Sequence, residues 1–274
     1  MASKGGMIAA VAVCIFALIS QSEAVIGGRE AVAHSRPYMA SIQLVAGEQR
    51  SHECGGFLVG EQWVMTAVHC FPQGAGNRKV VLGMHSLTEP EDTQQVFDIL
   101  ELHTNPTYRA ENYDNDIALI KLDRPVNITS AVQVVRVLRS GGTNPTTDEQ
   151  VDTAGWGATD NLGSRPVNLK ELTVEVVDPM FCGRSDYFGN RYTRNMICAH
   201  HVYNKPGSRR QQKEDTCGGD SGGPLLFKGV VVGIVSNGGI KCGQLRKPGI
   251  YTIVSHYTAW LDGIMGPQPT VPPQ

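Results

Sequence analysis

Short runs of apolar residues separated by polar turns make up most of this chain after residue 25. Examples are the segments 38–45 (YMASIQLV), 55–69 (GGFLVGEQWVMTAVH), 79–87 (KVVLGMHSL), 116–122 (DIALIKL), 172–177 (LTVEVV) and 229–237 (GVVVGIVSN). Valine and isoleucine are frequent in these runs, and no long helical period occurs before 256–265 (HYTAWLDGIM). The pattern predicts an all-β fold built of antiparallel barrels or sandwiches, followed by one C-terminal helix.

The first residues follow a different pattern. Lys4 precedes an apolar stretch at 7–19, and the small residues Ser22 and Ala24 come after it. The stretch is too short to cross a bilayer. It is typical of a signal peptide at 1–24, cut after Ala24 or after Ser22. We therefore expect a protein that is secreted to the outside of the cell or stored in a secretory granule.

The rest of the chain divides at a polar, turn-rich segment near its middle. Residues 140–150 (SGGTNPTTDEQ) lack apolar periodicity and are interpreted as a linker between two β halves. The predicted domain thus covers 25–266, with one barrel in 25–139 and a second barrel plus the helix in 140–266. The proline-rich residues 267–274 are predicted to form a disordered tail.

Composition restricts the partners and the compartment. A formal net charge of −2 with 18% charged residues gives no indication of nucleic acid or a membrane surface as a partner. Cys14 lies in the signal peptide, and the six other cysteines of the chain's seven could all pair in an oxidising compartment, in any of 15 connectivities. The sequon at Asn127 predicts a glycosylated, exposed loop.

Three residue types needed for nucleophilic catalysis occur within longer motifs. His69 lies in TAVHC, Asp116 in YDNDIALI and Ser221 in GDSGGP. A serine hydroxyl is a weak nucleophile unless a base takes its proton, and the base needs a partner that holds its tautomer. Each residue alone has an ordinary structural explanation, but the three together indicate a hydrolase that needs no cofactor.

The motifs TAVHC, DNDIALI, AGWG, GDSGGP and KPGIY follow one another in an order that resembles the chymotrypsin-like serine proteases of the trypsin family. The resemblance extends from VIGG to AWL. It implies two antiparallel six-stranded barrels with the catalytic residues in the cleft between them. It also implies that His69 is the general base and acid, that Asp116 orients it and that Ser221 attacks the peptide carbonyl. The backbone N–H groups of Gly219 and Ser221 would form the oxyanion hole.

The resemblance also implies how such an enzyme is activated. In the family, the carboxylate of the residue at Asp220 pairs with the new α-ammonium of the mature N-terminus, which is Val25 of VIGG here. This chain has Ser-Glu-Ala before Val25, where most relatives have Arg or Lys. Signal peptidase is therefore expected to expose Val25 directly, or to cut after Ser22 and leave the dipeptide to an aminodipeptidase.

Specificity is expected to come from an acid at the floor of the substrate pocket. Asp215 stands six residues before Ser221, the position that meets an Arg or Lys side chain in trypsin-like relatives. Gly238 and Gly249 match the pocket walls, and Ser236 begins the segment SNG, where relatives have SWG beside the substrate. The resemblance predicts cleavage after Arg or Lys, and no metal site is expected.

Family pairing selects one disulfide connectivity. It joins Cys54 to Cys70, Cys182 to Cys198 and Cys217 to Cys242.

A fourth bridge found in many relatives is missing. Its two positions correspond to Val151 and Phe227, which predicts apolar packing in its place.

Several stretches, among them LGMHSLTEPE and CGQLRKPGIYT, resemble complement factor D in particular. This resemblance implies a monomeric protease of the complement alternative pathway, in innate immunity, whose protein substrate is complement factor B bound to the activated third component. The first alternative is a granule protease of the neutrophil type, because HSRPYMAS and DTQQVF also resemble serine protease 57. The second is a protease fold that acts as a binding protein without catalysis.

Overall fold

The computed structural model describes residues 28–204 and 211–266, with the side chains of 201–214 left out. The predicted signal peptide, Val25 and the tail at 267–274 lie outside the described residues. Within them, no helix is long and apolar enough to cross a membrane. The described chain is mainly β-strand, with two short α-helices and three 3-10 helices.

Six strands of the N-terminal half close into a barrel in the order β2-β3-β4-β7-β6-β5. After the short β1 (Arg29–Glu30), these strands are β2 (Met39–Ala46), β3 (Gln49–Gly60), β4 (Trp63–Thr66), β5 (Arg78–Leu82), β6 (Gln95–Thr104) and β7 (Ala118–Leu122). The barrel closes because β2 pairs with both β3 and β5. Gly47, with φ +62°, opens the two-residue turn between β2 and β3, a position where glycine meets no steric penalty.

Six strands of the C-terminal half form the second barrel. The strands of this half are β8 (Gln150–Gly155), β9 (Lys170–Val176), β10 (Met196–Asn204), β11 (Gln211–Glu214), β12 (Pro224–Phe227), β13 (Val230–Asn237) and β14 (Gly249–Ile253). Their order is β9-β8-β12-β13-β14-β10, and a second pairing of β9 with β10 closes the barrel, while β1 and β11 extend its edges. The predicted fold class is therefore confirmed: two closed six-stranded antiparallel barrels.

Burial along the strands explains why this sequence forms barrels. In β9 (KELTVEV) every second residue is buried, which places Leu172, Val174 and Val176 on one face. That face packs in one cluster with Val151 of β8 and the partly buried Phe227 of β12. The replacement of the missing fourth disulfide by apolar packing is thus observed.

The two α-helices are short and lie outside the strands of both barrels. Helix α1 (Pro179–Cys182) begins after Asp178, whose carboxylate accepts a hydrogen bond from Met180 N at 2.8 Å. Helix α2 (Thr258–Met265) ends the described chain, with Leu261 fully buried and Trp260 partly buried against the core. The inward orientation predicted for these two side chains is thus observed.

Polar contacts join the two barrels beside the cleft. Asp114, just before β7, accepts hydrogen bonds from Thr193 Oγ1 at 2.7 Å and Asn195 Nδ2 at 3.0 Å. The neighbouring Asn115 accepts one from Tyr257 OH at 2.9 Å. Because Asp116 follows directly in the chain, this network fixes the segment that carries a predicted catalytic residue.

Candidate active site

His69 and Asp116 face each other across the mouth of the first barrel. His69 lies in the 3-10 helix Val68–Cys70 that follows β4, and Asp116 lies just before β7. The distance from His69 Nδ1 to Asp116 Oδ2 is 2.6 Å, and His69 N donates to Asp116 Oδ1 at 3.0 Å. Asp116 is fully buried. A buried carboxylate only accepts hydrogen bonds, so it fixes the imidazole tautomer that carries a proton on Nδ1 and leaves Nε2 for proton transfer.

Ser236 completes the environment of this carboxylate. Its hydroxyl donates to Asp116 Oδ2 at 2.6 Å, and the residue is buried. The Ser236 side chain therefore contacts the catalytic pair, and the predicted role of this residue in substrate binding stays a prediction. With two donors on Oδ2 and one on Oδ1, the buried charge of Asp116 is well compensated.

Ser221 lies in the loop before β12, on the other side of the cleft. Its carbonyl oxygen accepts a hydrogen bond from Gly55 N at 2.7 Å. Gly55 follows Cys54, which is bonded to Cys70, the neighbour of His69. The disulfide and the backbone hydrogen bond therefore hold the segment that carries Ser221 next to the segment that carries His69.

The peptide between Gly218 and Gly219 is held from behind. Ala158 N donates to Gly218 O at 2.7 Å, and the chain has no cis peptide bonds among its described residues. In a trans peptide the C=O and N–H groups point in opposite directions, so the Gly219 N–H points away from Ala158. Gly219 has φ +103°, a conformation that residues with a Cβ rarely adopt. This geometry suits the predicted role of Gly219 as an oxyanion donor.

A buried histidine that the sequence analysis missed supports the same loop. His52 Nε2 lies 2.9 Å from Gly219 O, and His52 Nδ1 lies 2.8 Å from Ser41 Oγ. Burial lowers the pKa of His52 to about 4, so the ring is neutral and donates from Nε2 to the carbonyl. No local sequence signal marked it, because His52 lies among polar residues at the start of β3 (QRSHE).

Asp220 is buried beneath the loop. Its Oδ1 accepts from Gly157 N at 2.8 Å, and its Oδ2 accepts from Cys217 N at 2.9 Å. Burial raises the pKa of Asp220 to about 6, and these two hydrogen bonds oppose that rise. Its predicted partner, the ammonium of Val25, lies outside the described residues, so the activation pair stays a prediction.

Asp215 is a buried carboxylate six residues before Ser221. It is 2% exposed, and its Oδ2 accepts a hydrogen bond from Gly243 N at 3.1 Å. A Cβ added at Gly249 would lie 2.9 Å from Asp215 Oδ1, and one added at Gly238 would lie 3.8 Å from Gly249 Cα. Gly249 therefore lies directly against the buried carboxylate, and Gly238 lies next to Gly249.

The three disulfide bonds implied by the resemblance are present, Cys54–Cys70, Cys182–Cys198 and Cys217–Cys242. The last one joins the segment that carries Asp215 to the loop opposite it. Asn127 lies on an exposed loop, as its sequon predicts, and its backbone pairs with the Gln95 side chain.

Tyr113 is another residue near the catalytic pair that the sequence did not single out. Its ring meets that of His69 edge to face, with 5.5 Å between the centroids. Tyr113 has φ +60°, and both residues line a depression beside His69 that also contains Phe71 and Leu102. The side chain therefore limits the space next to the base.

Both the sequence and the fold of this chain are similar to those of known proteins. The family profile described as Trypsin matches residues 25–261. The chain is 39% identical to Granzyme M of Rattus norvegicus over 249 residues, covering 89% of this chain and 92% of that protein. It is 37% identical to Serine protease 57 of Homo sapiens over 249 residues, which cover 89% of this chain and 83% of that protein. The structure of the mouse brain serine protease neuropsin matches with a TM-score of 0.74 at 34% identity, covering 88% of this chain and 100% of that one.

These relatives do not support the predicted closeness to complement factor D. They are a granzyme and a serine protease 57, and Chymase of Macaca fascicularis matches as well, at 35% identity over 92% of this chain and 95% of that protein. The stretches that resembled factor D are short, so they weigh less than identity over nearly the whole length.

Proposed function

The chain belongs to the trypsin family of serine proteases, and from this we propose that it is an endopeptidase that cleaves after arginine or lysine. The observation that carries the specificity is the buried Asp215 carboxylate, which lies against Gly249, with Gly238 next to it. We propose that the two glycines form the walls of a substrate slot that ends at Asp215. A long cationic side chain fits a channel without side chains on its walls and meets the opposite charge at its end.

The proposed mechanism uses the geometry of the cleft. His69 takes the proton of the Ser221 hydroxyl as the oxygen attacks the scissile carbonyl, and Asp116 stabilises the imidazolium that forms. The N–H groups of Gly219 and Ser221 bind the oxyanion of the tetrahedral intermediate. His69 then gives the proton to the leaving amine, and water hydrolyses the acyl-enzyme by the same steps.

Internally quenched peptides that differ only in the residue before the scissile bond test the specificity. We expect Arg and Lys peptides to be cleaved about 100-fold faster than Met, Leu or Phe peptides, the equivalent of roughly 3 kcal/mol for a desolvated charge pair. Asp215→Ser should remove this preference, while Asp92→Asn, the loss of an exposed acid outside the cleft, should not. A preference for Met, Leu or Phe that survives Asp215→Ser would refute the proposal.

The inactive alternative is tested separately. A fluorophosphonate that labels the wild type but not Ser221→Ala would establish a reactive serine, and a protein that takes no label would be a binding protein. The paired His69 and Asp116 favour the enzyme.

Two physiological roles remain as proposals. One is factor D-like cleavage of complement factor B; the other is that of a granule-stored protease, which the identity to Granzyme M and Serine protease 57 favours. In both cases we propose a monomer with a protein substrate, secreted or stored in granules. Restored alternative-pathway activity in factor D-depleted serum would support the first role. Its absence, together with recovery of the protein from a granule fraction, would support the second.

A further inference from the structure

Glu171 of β9 binds both ends of the segment that runs from Arg29 to Arg36, called the N-terminal segment below. Arg29 Nε donates to Glu171 Oε1 at 2.8 Å, and Arg36 donates to Glu171 Oε2 from Nε at 3.1 Å and from Nη2 at 3.0 Å. Between the two arginines the chain turns back, with Ser35 N donating to Val32 O at 3.0 Å. One carboxylate therefore closes this segment into a loop against the second barrel.

The two arginines contribute unequally to this contact. The side chain of Arg29 is 80% exposed, whereas those of Arg36 and Glu171 are 25% and 12% exposed. Burial opposes ionisation of Glu171, but the hydrogen bonds from Arg29 and Arg36 outweigh it and hold the pKa of this carboxyl below its ordinary value. The contact with Arg36 is the stronger one, because it is better shielded from solvent and carries two of the three hydrogen bonds.

The backbone beside this contact continues towards the active site. Glu30 of β1 pairs with Lys170 of β9, and on its other side Lys170 pairs with Gly155 of β8. A Cβ added at Gly155 would overlap Asp220 Oδ1 and lie 3.0 Å from Asp220 Cγ. One strand, β9, therefore separates the N-terminal segment from the strand that lies against Asp220.

The number of residues before Arg29 makes the register of β1 important. Neighbouring strands lie about 4.8 Å apart, so the two spacings from β1 across β9 to β8 measure about 10 Å. Val25 precedes Arg29 by four residues, which span at most about 14 Å when fully extended. The difference of about 4 Å is close to the length of one residue. A segment that is held at Arg29 can present the Val25 ammonium to Asp220, and one that is displaced has almost no length to spare.

We propose that Glu171 is a positioning residue for activation. Through its two arginines it holds the N-terminal segment in the register that lets the ammonium of Val25 reach Asp220. The inference deepens the proposed peptidase function and rests on it, as well as on the predicted pair of Val25 with Asp220. Glu171 acts through the new N-terminus, so its loss should release the ammonium while the two barrels stay folded.

The reaction of the Val25 α-amine with cyanate measures whether the ammonium is buried. Cyanate modifies unprotonated amines, and α-amines have a lower pKa than lysine side chains, so brief treatment at pH 7 favours Val25. The protein begins at Val25 and carries Ser221→Ala, which prevents autolysis. Mass spectrometry of the N-terminal peptide gives the rate. We expect the folded protein to react about 100-fold more slowly than the guanidinium-unfolded chain, as a buried ion pair would give.

Variants of the contact assign this protection to Glu171. Glu171→Gln should raise the rate about tenfold, since it removes a charged hydrogen-bond acceptor from a mostly buried position. Arg36→Gln should have a similar effect, whereas Arg29→Gln should raise the rate by no more than about twofold because its contact is exposed. Asp98→Asn is the matched control: it removes an exposed ion pair with Lys79 on the first barrel, and it should leave the rate unchanged.

An Asp220→Asn background separates positioning from a general loss of stability. In that background the ammonium has no charged partner to reach, so adding Glu171→Gln should leave the rate as it is. An increase of the same size in both backgrounds would overturn the proposal, and so would a rate that Glu171→Gln does not change. A folded protein whose Val25 reacts as fast as in the unfolded chain would also overturn it, because there would be no buried ammonium to position.

Failure of the proposed function is distinguishable from failure of this inference. The modification rate is measured without substrate and without the Ser221 hydroxyl, so it does not depend on peptidase activity. The quenched peptides described above assay that activity separately. A protein that cleaves none of them but protects Val25 through Glu171 would contradict the proposed function and support the positioning role.

Discussion

Gly157 is the position where one added methyl group should separate activity from folding. Its N–H donates to Asp220 Oδ1 at 2.8 Å. A Cβ at this position would lie 2.5 Å from Oδ1 and overlap the other carboxyl atoms. Asp220 is 1% exposed and Trp156, next in the chain, is fully buried, so neither side has room to move. Gly157→Ala therefore forces the carboxylate off its two backbone donors.

The magnitude follows from the two hydrogen bonds to a buried charge. Each contributes about 1.5–3 kcal/mol, so we expect a loss of about 3–6 kcal/mol of unfolding free energy. For a domain of this size that corresponds to roughly 6–12 °C in Tm. Activity should fall further, because displacing Asp220 moves the Gly219 N–H, and losing one oxyanion donor costs about 100- to 1000-fold in kcat.

The assay compares variants processed to begin at Val25. Steady-state cleavage of the preferred peptide gives kcat/KM, and thermal unfolding in the Ser221→Ala background avoids autolysis. Gly263→Ala in α2 is the matched control, since an added Cβ there meets nothing within 4 Å. It should be neutral or stabilising by up to about 1 kcal/mol. If Gly157→Ala keeps kcat/KM within about threefold of the wild type, the proposed link from Asp220 to the oxyanion hole is refuted.

Three further changes have defined outcomes. Asp116→Asn should lower kcat by about 10⁴-fold with little change in KM, because the amide NH₂ donates to Nδ1 and holds the wrong imidazole tautomer; steady-state kinetics measures this, and a loss below about tenfold would contradict the assignment. Tyr257→Phe removes the hydrogen bond to Asn115 and should cost about 1 kcal/mol in urea unfolding, whereas an unchanged midpoint would show that this barrel contact is dispensable. Burial raises the pKa of Asp220 from 3.8 to about 6, so in a chain that keeps residues before Val25 its contribution is greatest below pH 4 and is lost as the pH rises through 6. Between pH 4 and pH 7, the free energy of unfolding of that chain, measured by urea titration, should fall by up to about 3 kcal/mol relative to that of Asp220→Asn. A difference between the two proteins that does not change with pH would refute the pKa shift.

The fold class and the types of catalytic residue were predictable because both can be recognised within short segments of the sequence. A strand with one buried face shows it in consecutive residues, as in β9 with Leu172, Val174 and Val176. Strand β6 was not predicted, because its ten residues show no regular alternation and only Phe97 and its neighbours turn inward. That strand is held by its pairing with β5 on one side and β7 on the other, and pairing with distant strands cannot be recognised from a local sequence pattern.

Contacts between distant segments were the part that sequence could not supply. His52 meets Gly219 across 167 positions, and the guanidinium of Arg165 reaches the same glycine from another loop. Ser236 shows the same limit at a single position. The resemblance gave it a place beside the substrate, and it did not indicate that its hydroxyl donates to Asp116, next to the irregular pairing of β13 with β14 at Val235 and Asn237. Such orientations depend on how the two barrels meet.

The two buried carboxylates of the site, Asp116 and Asp220, differ in the groups that balance their negative charge. This difference assigns Asp116 to catalysis and Asp220 to activation. Asp116 accepts three hydrogen bonds, two of them from His69, whose ring becomes the cation when the serine is deprotonated. Its counter-charge is therefore part of the first barrel. Asp220 accepts two backbone hydrogen bonds, and burial still raises its pKa to about 6. A carboxyl group in that state gains more from a new cation than one already paired, so the ammonium of Val25 would stabilise the Asp220 loop without changing the His69 pair. Processing before Val25 is thus expected to alter the oxyanion hole and the slot, which share the 215–221 segment, and to leave the proton-transfer geometry as it is.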